Sequence, residues 1–187
     1  MAGHGVGSAL LSVSLMNVMR SRSLPGADFS KPDEVLAGLN REIRMEDHDK
    51  KFFTMWYGVY EAGTQNLTYA NGGYPPPLLI HDRIDGRVAS KLEGAGLIVA
   101  AMPEATYEAR TLSIQLACAL HVFSDGVYEI LPPGDGDAKH MLGYDGFADV
   151  LTSADGDDLD ATIERLREYA GGGVFDDDVS LMRLRLG

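Results

Sequence analysis

The sequence is poor in cysteine, in basic residues and in long apolar runs. Cys118 is the single cysteine among 187 residues, so no disulfide can form within the chain. Lys and Arg number 16 against 28 Asp and Glu, and no cluster of five or more basic residues occurs, which argues against a nucleic-acid surface. No apolar run reaches the roughly 18 residues of a membrane-spanning helix. We therefore expect a cytoplasmic protein without membrane insertion or nucleic-acid binding, and a buried thiol at Cys118.

The apolar content is that of an ordinary globular protein. Hydrophobic residues make up 45% of the sequence. A chain of this length can bury about 70% of the surface that its unfolded form exposes, which is enough for one hydrophobic core. Because the sequence has no internal repeat, no low-complexity tract and no linker-like composition shift, we predict a single domain over residues 1–187.

Acidic residues stand at the ends of two predicted strands. The apolar run Ala119–Phe123 stops at Ser124-Asp125-Gly126, and Phe175-Asp-Asp-Asp178 leads directly into the strand-like stretch Val179–Leu186. Carboxylates crowded at strand ends repel one another unless a cation lies between them, and hard divalent cations prefer oxygen ligands. The pattern is consistent with a Mg²⁺ or Mn²⁺ site built from Asp125 and the acids at 176–178. The alternative is an ordinary turn and a solvated acidic loop.

Helical and strand-like patterns alternate in blocks along the chain. Helices are predicted at four places: 9–19, from an N-cap at Ser30 or Asp33 to about 45, 144–152 and 158–169. Strands are predicted at seven places: 52–60, 66–71, 78–81, 88–92, 106–114, 119–123 and 179–186. We expect a hairpin around residues 61–65 and a further strand pair between 88–92 and 106–114. Antiparallel strands with helices to each side favour a layered α+β sandwich over a parallel doubly wound sheet.

Four stretches in succession resemble the signatures of one protein family. They are Gly3-His-Gly-Val-Gly-Ser-Ala-Leu10, Tyr69-Ala-Asn-Gly-Gly-Tyr-Pro-Pro-Pro-Leu78, Phe123-Ser-Asp-Gly-Val-Tyr-Glu129 and Asp177-Asp-Val-Ser-Leu181. Together, and in this order, they are similar to the SpoIIE-like and RsbU-like serine phosphatases of the metal-dependent protein phosphatase (PPM) family. The resemblance extends over essentially the whole chain.

The resemblance implies a fold, a cofactor and a mechanism. The family fold is a four-layer αββα sandwich of antiparallel sheets, in which acids at strand ends hold two Mn²⁺ or Mg²⁺ ions. A metal-bridging water attacks the phosphorus of phosphoserine or phosphothreonine directly, without a phosphoenzyme. Asp125 matches a metal ligand of the family's Ser-Asp-Gly motif, and Asp177 and Asp178 match the Asp-Asp pair of its last motif.

The first motif is where the sequence departs from the family. Gly3, His4 and Gly5 match residues near the family's site, as does Gly126, but the aspartate that bridges both metals would fall one position before Met1. The family's earlier strands have no counterpart either. We therefore expect a chain that is incomplete at its N-terminus, that binds a single metal weakly, and that self-associates through an unpaired sheet edge.

The resemblance also implies a biological role. Family members usually dephosphorylate phosphorylated anti-sigma-factor antagonists, and the phosphatase domain commonly follows a sensor or receiver domain. The leading interpretation is a protein serine/threonine phosphatase of this regulatory kind. Two alternatives are a catalytically inactive pseudophosphatase that acts as a binding module and, third, an unrelated metal-dependent hydrolase that shares only the acid-tipped strands. The sequence does not specify the cognate substrate or the activating signal.

Overall fold

The computed structural model describes residues 6–43, 52–134, 140–153 and 156–187. Its helices are α1 (Val6–Ser21), α2 (Pro32–Glu42), α3 (Gly143–Thr152) and α4 (Leu159–Tyr169). Its strands are β1 (Met55–Glu61), β2 (Asn66–Gly72), β3 (Leu78–Arg83), β4 (Gly86–Lys91), β5 (Arg110–Ser113), β6 (Cys118–Phe123) and β7 (Leu181–Leu186). The predicted elements are all present, with bounds shifted by a few residues. Gly3, His4 and Gly5 lie outside the described residues.

The chain divides into two compact units. The first comprises Met1–Pro76 and Glu93–Ser113, and the second comprises Pro77–Leu92 and Ile114–Gly187. Each unit contains one antiparallel sheet, with strand order β1-β2-β5 in the first and β4-β3-β6-β7 in the second. The α+β class with antiparallel sheets is therefore confirmed.

The sheet of the first unit packs on an amphipathic helix. Residues at i, i+1 and i+4 of α2, namely Val35, Leu36 and Leu39, are fully buried and join Phe53 in one hydrophobic cluster. The helix was expected to be capped by Ser30 or Asp33, and this was wrong. Lys31 is the N-cap residue and makes no side-chain capping bond; Pro32 follows it at the first helical position, where no backbone N–H is needed.

The sheet of the second unit packs on α3 and α4. Phe123 of β6, Phe147 and Leu151 of α3, and Leu166 of α4 are all 0–1% exposed and form its core. Asp158 caps α4 by accepting hydrogen bonds from the backbone N–H groups of Asp160 and Ala161. The two helices thus form a layer that packs on the sheet containing β6 and β7.

One strand pairing was predicted wrongly. Residues 88–92 and 106–114 were expected to pair with each other, but β4 pairs with β3 in one sheet and β5 pairs with β2 in the other. The β3–β4 hairpin closes through Gly86, whose positive φ of 126° favours glycine and permits the tight turn. The hairpin expected at 61–65 is confirmed, since β1 and β2 pair from Glu61 and Asn66 outward.

Two further expectations concern burial and the membrane. Cys118 is a free, buried cysteine on β6, as predicted. Within the described ranges, no helix is long and apolar enough to cross a membrane.

Candidate functional site

Asp125 stands where β6 ends. Ser124 continues the extended backbone, and Asp125 then begins one turn of 3₁₀-helix that reaches Val127. The carbonyl oxygen of Asp125 accepts hydrogen bonds from the backbone N–H groups of Tyr128 at 3.0 Å and Glu129 at 2.9 Å. Gly126 and Val127 are buried, whereas Asp125 is exposed. The turn is therefore anchored by its backbone while the carboxylate remains free to face solvent or a ligand.

The second acidic segment lies just before β7. Asp176, Asp177 and Asp178 are all exposed. The backbone N–H of Asp178 donates to Oδ1 of Asp177 at 2.7 Å, which orients that carboxylate and leaves its Oδ2 available. Three neighbouring carboxylates at the mouth of one strand create a strongly negative position, which favours a cation.

Ser124 joins the two acidic segments. Its Oγ donates to the carbonyl oxygen of Asp178 and accepts from the backbone N–H of Ser180, both at 2.8 Å. Its own N–H donates to the carbonyl oxygen of Ser180 at 3.0 Å. Because β6 and β7 are neighbours in the sheet, these bonds extend the ladder past its last residue pair, Phe123 and Leu181. The Ser-Asp-Gly turn and the Asp-Asp-Val-Ser turn are thus held side by side.

Gly126 allows the same close approach. A Cβ atom at this position would lie 2.6 Å from the carbonyl oxygen of Asp178 and 3.1 Å from its carbonyl carbon. Real Cβ atoms do not approach a backbone oxygen this closely, so any side chain at position 126 would push the two turns apart. The glycine is therefore required for proximity and has an unexceptional φ.

The donor chemistry of the joined turns fits a hard divalent cation in part. Asp125, Asp177 and Asp178 supply carboxylate oxygens, the ligands that Mg²⁺ and Mn²⁺ prefer. Within the part of the chain that the structure describes, however, no three His, Cys, Asp or Glu side chains converge on one metal position. The assignment of Asp125, Asp177 and Asp178 as metal ligands stays a prediction. Gly126 adjoins these residues, and the segment with His4 is outside the described ranges.

Two cavities flank the acidic segment. One of about 270 Å³ lies between Gly126, Glu129, the loop at 130–134 and Asp176 with Asp177. The other, of about 600 Å³, lies between α4 and the segment Val174–Val179, and includes Arg167. Phe175, Asp176 and Asp177 border both cavities. The segment Asp176, Asp177 and Asp178, here called the acidic ridge, is therefore accessible from two sides.

A second polar cluster lies halfway along the same two strands. His121 of β6 is 1% exposed and stands opposite Arg183 of β7. Asp157 pairs with both arginines of the cluster, at 2.8 Å with Nη2 of Arg87 and 3.5 Å with Nη1 of Arg183. Burial, followed by the positive charge of Arg183, lowers the pKa of His121 to about 4. The imidazole is therefore neutral at neutral pH.

Sequence reasoning missed several of these residues. Ser124 and Ser180 are visible in the two motifs, but the motifs alone do not show that one serine bonds to the other segment. His121 sits in an apolar run that predicts only a strand, and Arg167 is one of several charged residues on an amphipathic helix. Their roles depend on neighbours that are distant in sequence, which no local pattern reports.

The fold is shared with solved phosphatase structures. The SiaA-PP2C domain of Pseudomonas aeruginosa matches with a TM-score of 0.74 at 19% identity, covering 100% of this chain and 73% of that chain. The RsbU and RsbW domains of Rv1364c from Mycobacterium tuberculosis match with a TM-score of 0.70 at 21% identity, covering 99% of this chain and 50% of that chain. RsbX in complex with magnesium matches with a TM-score of 0.61 at 13% identity, covering 100% of this chain and 77% of that chain. The fold is thus that of the PP2C-type phosphatase domains.

Comparison with family models assigns the chain to one family within this fold. The family model described as Stage II sporulation protein E (SpoIIE) matches residues 1–187, so this chain belongs to the SpoIIE family. Protein IcfG of Synechocystis sp. is 24% identical over 205 residues, covering 95% of this chain and 31% of that protein. The chain therefore spans less than a third of the length of this curated relative. The resemblance inferred from the four motifs is confirmed.

Proposed function

We propose that this chain is a metal-dependent protein phosphatase domain that hydrolyses phosphoserine or phosphothreonine on a regulatory protein. The observation that carries the proposal is the joining of two acidic turns at neighbouring strand ends. Ser124 bonds to Asp178 and Ser180, and Gly126 lies against Asp178, so the turn that carries Asp125 lies against the turn that carries Asp177 and Asp178. Membership of the SpoIIE family and the PP2C-type fold support the same class of reaction.

Mn²⁺ or Mg²⁺ is the proposed cofactor, held by Asp125, Asp177 and Asp178. The resemblance to the PPM family implies two such ions. When bound, the cation would supply the Lewis acid that activates water for attack on phosphorus. Support comes from the carboxylate donors and from a solved relative, RsbX, whose structure is a complex with magnesium. The residues of this chain contribute the negative charge, its fixed position beside β7, and open access from two cavities.

The proposed substrate is a phosphorylated regulatory protein of a sigma-factor pathway, such as an anti-sigma-factor antagonist. The relatives named for sporulation and for the RsbU and RsbW domains support this choice. An upstream sensor or receiver domain and a cytoplasmic location belong to the same proposal. The protein would then act as a signal-controlled switch, because removal of one phosphate changes which partner the antagonist binds.

Release of phosphate from a phosphoserine anti-sigma antagonist tests the proposal. Turnover should require Mn²⁺, and Asp125→Asn should lower it by more than about 100-fold, since a metal ligand is lost. Asp145→Asn is the matched control. Asp145 is an exposed acid on α3 that pairs with Lys91 of β4 and is not a proposed metal ligand. The assay is run on this chain and on a form extended upstream. If neither form of the wild-type protein has Mn²⁺-dependent activity, the proposal is wrong.

A second candidate is a pseudophosphatase that binds the phosphoprotein without turnover. The observation in its favour is that no three metal-ligating side chains converge within the described ranges. Binding of the phosphoprotein by both forms of the chain, with turnover by neither, would establish this alternative. Loss of binding together with turnover of small phosphoesters would instead point to an unrelated hydrolase.

A further inference from the structure

Arg167 is a charged residue beside the acidic ridge that the proposed reaction does not use. It lies in the last turn of α4, and its guanidinium carbon is 6.0 Å from the ring centroid of Phe175, the residue directly before Asp176. It also lines the cavity of about 600 Å³ whose other wall is the acidic segment. The side chain is 47% exposed, so the guanidinium is accessible from that cavity.

The charge distribution in this cavity is asymmetric. Among the described residues that line it, Arg167 carries the sole positive charge and Asp176, Asp177 and Asp178 carry the negative charges. In the described chain Arg167 pairs with Glu164, one turn earlier on α4, and forms no ion pair with these three acids. The cavity thus presents a cation beside the acidic segment that is not neutralised by an ion pair with its three carboxylates.

An arginine in this position suits an acidic group on a substrate. Its planar guanidinium has five N–H donors and binds carboxylates in pairs of hydrogen bonds, and the bond to Glu164 leaves donors free. A phosphoserine placed at the acidic ridge would extend its flanking residues into the cavities on either side. On the side of the cavity of about 270 Å³ the charged lining residue outside the ridge is Glu129, which would repel an acid.

We propose that Arg167 binds an acidic side chain that flanks the phosphoserine of the protein substrate. This inference rests on the proposed phosphatase function. Arg167 then contributes to affinity for the phosphoprotein and has no part in the attack on phosphorus. A small phosphoester, which has no flanking residues, gains nothing from this contact.

Steady-state kinetics of Arg167→Gln separate these effects. For the phosphoprotein, KM should rise about tenfold with kcat nearly unchanged, because one charge-assisted contact made equally in ground and transition states is lost. For p-nitrophenyl phosphate, kcat/KM should stay within twofold of wild type. Arg165→Gln is the matched control on the same helix, since Arg165 donates to Ser153 Oγ at 2.6 Å and does not line this cavity. Thermal unfolding of each variant checks that the fold is intact.

A binding measurement makes the test independent of turnover. In the Asp125→Asn background, calorimetry should show that Arg167→Gln weakens phosphoprotein binding about tenfold, and that Arg167→Lys recovers part of the loss. Replacing the acidic residues beside the phosphoserine with amides should weaken wild type and leave Arg167→Gln unaffected. An equal loss on p-nitrophenyl phosphate would overturn the inference by placing Arg167 on the phosphate itself. Unchanged binding and KM would also overturn it.

The failure of this inference is distinguishable from failure of the proposed function. If wild-type protein binds the phosphoprotein but hydrolyses nothing, the phosphatase proposal fails while the binding arm still decides the role of Arg167. If turnover is normal and Arg167→Gln matches Arg165→Gln in every assay, only the inference about Arg167 fails.

Discussion

The strand pair β6–β7 lies beside two charged regions that differ in how their charges are paired. Halfway along it, Arg87 pairs with Asp82 and Asp157, Arg183 pairs with Asp157, and His121 is buried beside them in its neutral form. At its end, Asp125 and the acids at 176–178 are exposed, and no described basic side chain pairs with them. The first region neutralises itself within the fold, whereas the second accumulates charge of one sign.

The difference separates residues that stabilise the fold from residues that are available for chemistry. A partly buried ion pair that loses one member leaves a charge that neither water nor protein solvates well, so its members are required for stability. Exposed acids of like sign repel one another and contribute nothing to stability until a cation arrives. The energetic cost of the acidic ridge is offset by hydrogen bonds through Ser124 and by the packed helical layer behind β6 and β7.

The largest expected effect concerns His121. Its pKa is about 4 in the folded chain and about 6.5 when unfolded, so between these values only the unfolded chain binds the proton. The contribution of His121 to stability should therefore be constant well above pH 6.5 and become less favourable by up to about 3 kcal/mol as the pH drops to 4. Urea unfolding over this range measures the slope. His121→Leu should remove this contribution and flatten the curve, because the titrating group is absent.

An unchanged pH dependence in His121→Leu would contradict this account. The loss of stability in acid would then come from the carboxylates. In that case the buried cluster around His121 would not determine how stability depends on pH.

A smaller effect is expected from Asp157→Ala. Arg87 and Arg183 have side chains that are only 18% exposed; Arg183 would lose its counter-charge, whereas Arg87 would keep its pair with Asp82. We expect a loss of about 2 kcal/mol, below the value for a fully buried pair because Asp157 is half exposed. Asp176→Ala is the control from the acidic ridge and should change stability by less than about 0.5 kcal/mol. Similar losses in both variants would remove the distinction between the two regions.

Much of the fold is predictable from local patterns. The amphipathic period of α2, the acidic cap of α4 at Asp158 and the turn at 61–65 each specify an element through neighbouring residues. The partner of β5 could not be predicted in this way, because β5 pairs with β2 across a long stretch of chain that no local period spans. The β3–β4 hairpin does have a local signal in the turn Asp85-Gly86, which closes at a lower entropic cost than a loop to β5 and which the predicted pairing overlooked.

The candidate site divides in the same way. Asp125, Asp177 and Asp178 are visible as acids at strand ends, and the order of the motifs assigns them to a phosphatase family. The bond between Ser124 and Asp178 spans 54 positions, and the contact of Gly126 with Asp178 spans a similar interval. No sequence period encodes such a contact. It follows from the adjacency of β6 and β7, which only the assembled sheet shows.

Gly126→Ala gives the smallest stability change and the sharpest test of the acidic ridge. The new methyl group would lie 2.6 Å from the carbonyl oxygen of Asp178, so the turn that carries Asp177 and Asp178 must shift. We expect a loss of about 1 kcal/mol, near the lower end for overpacking, because the contact is at the edge of the sheet. Gly63→Ala is the matched control, since nothing lies within 4 Å of that Cβ position.

Mn²⁺ titration of both variants tests whether the acids act together. If Asp125 and Asp177 bind one cation, Gly126→Ala should weaken Mn²⁺ binding more than Gly63→Ala does. Equal Mn²⁺ affinity in the two variants would mean that the joined turns are a structural feature of β6–β7 and that the acids do not act together.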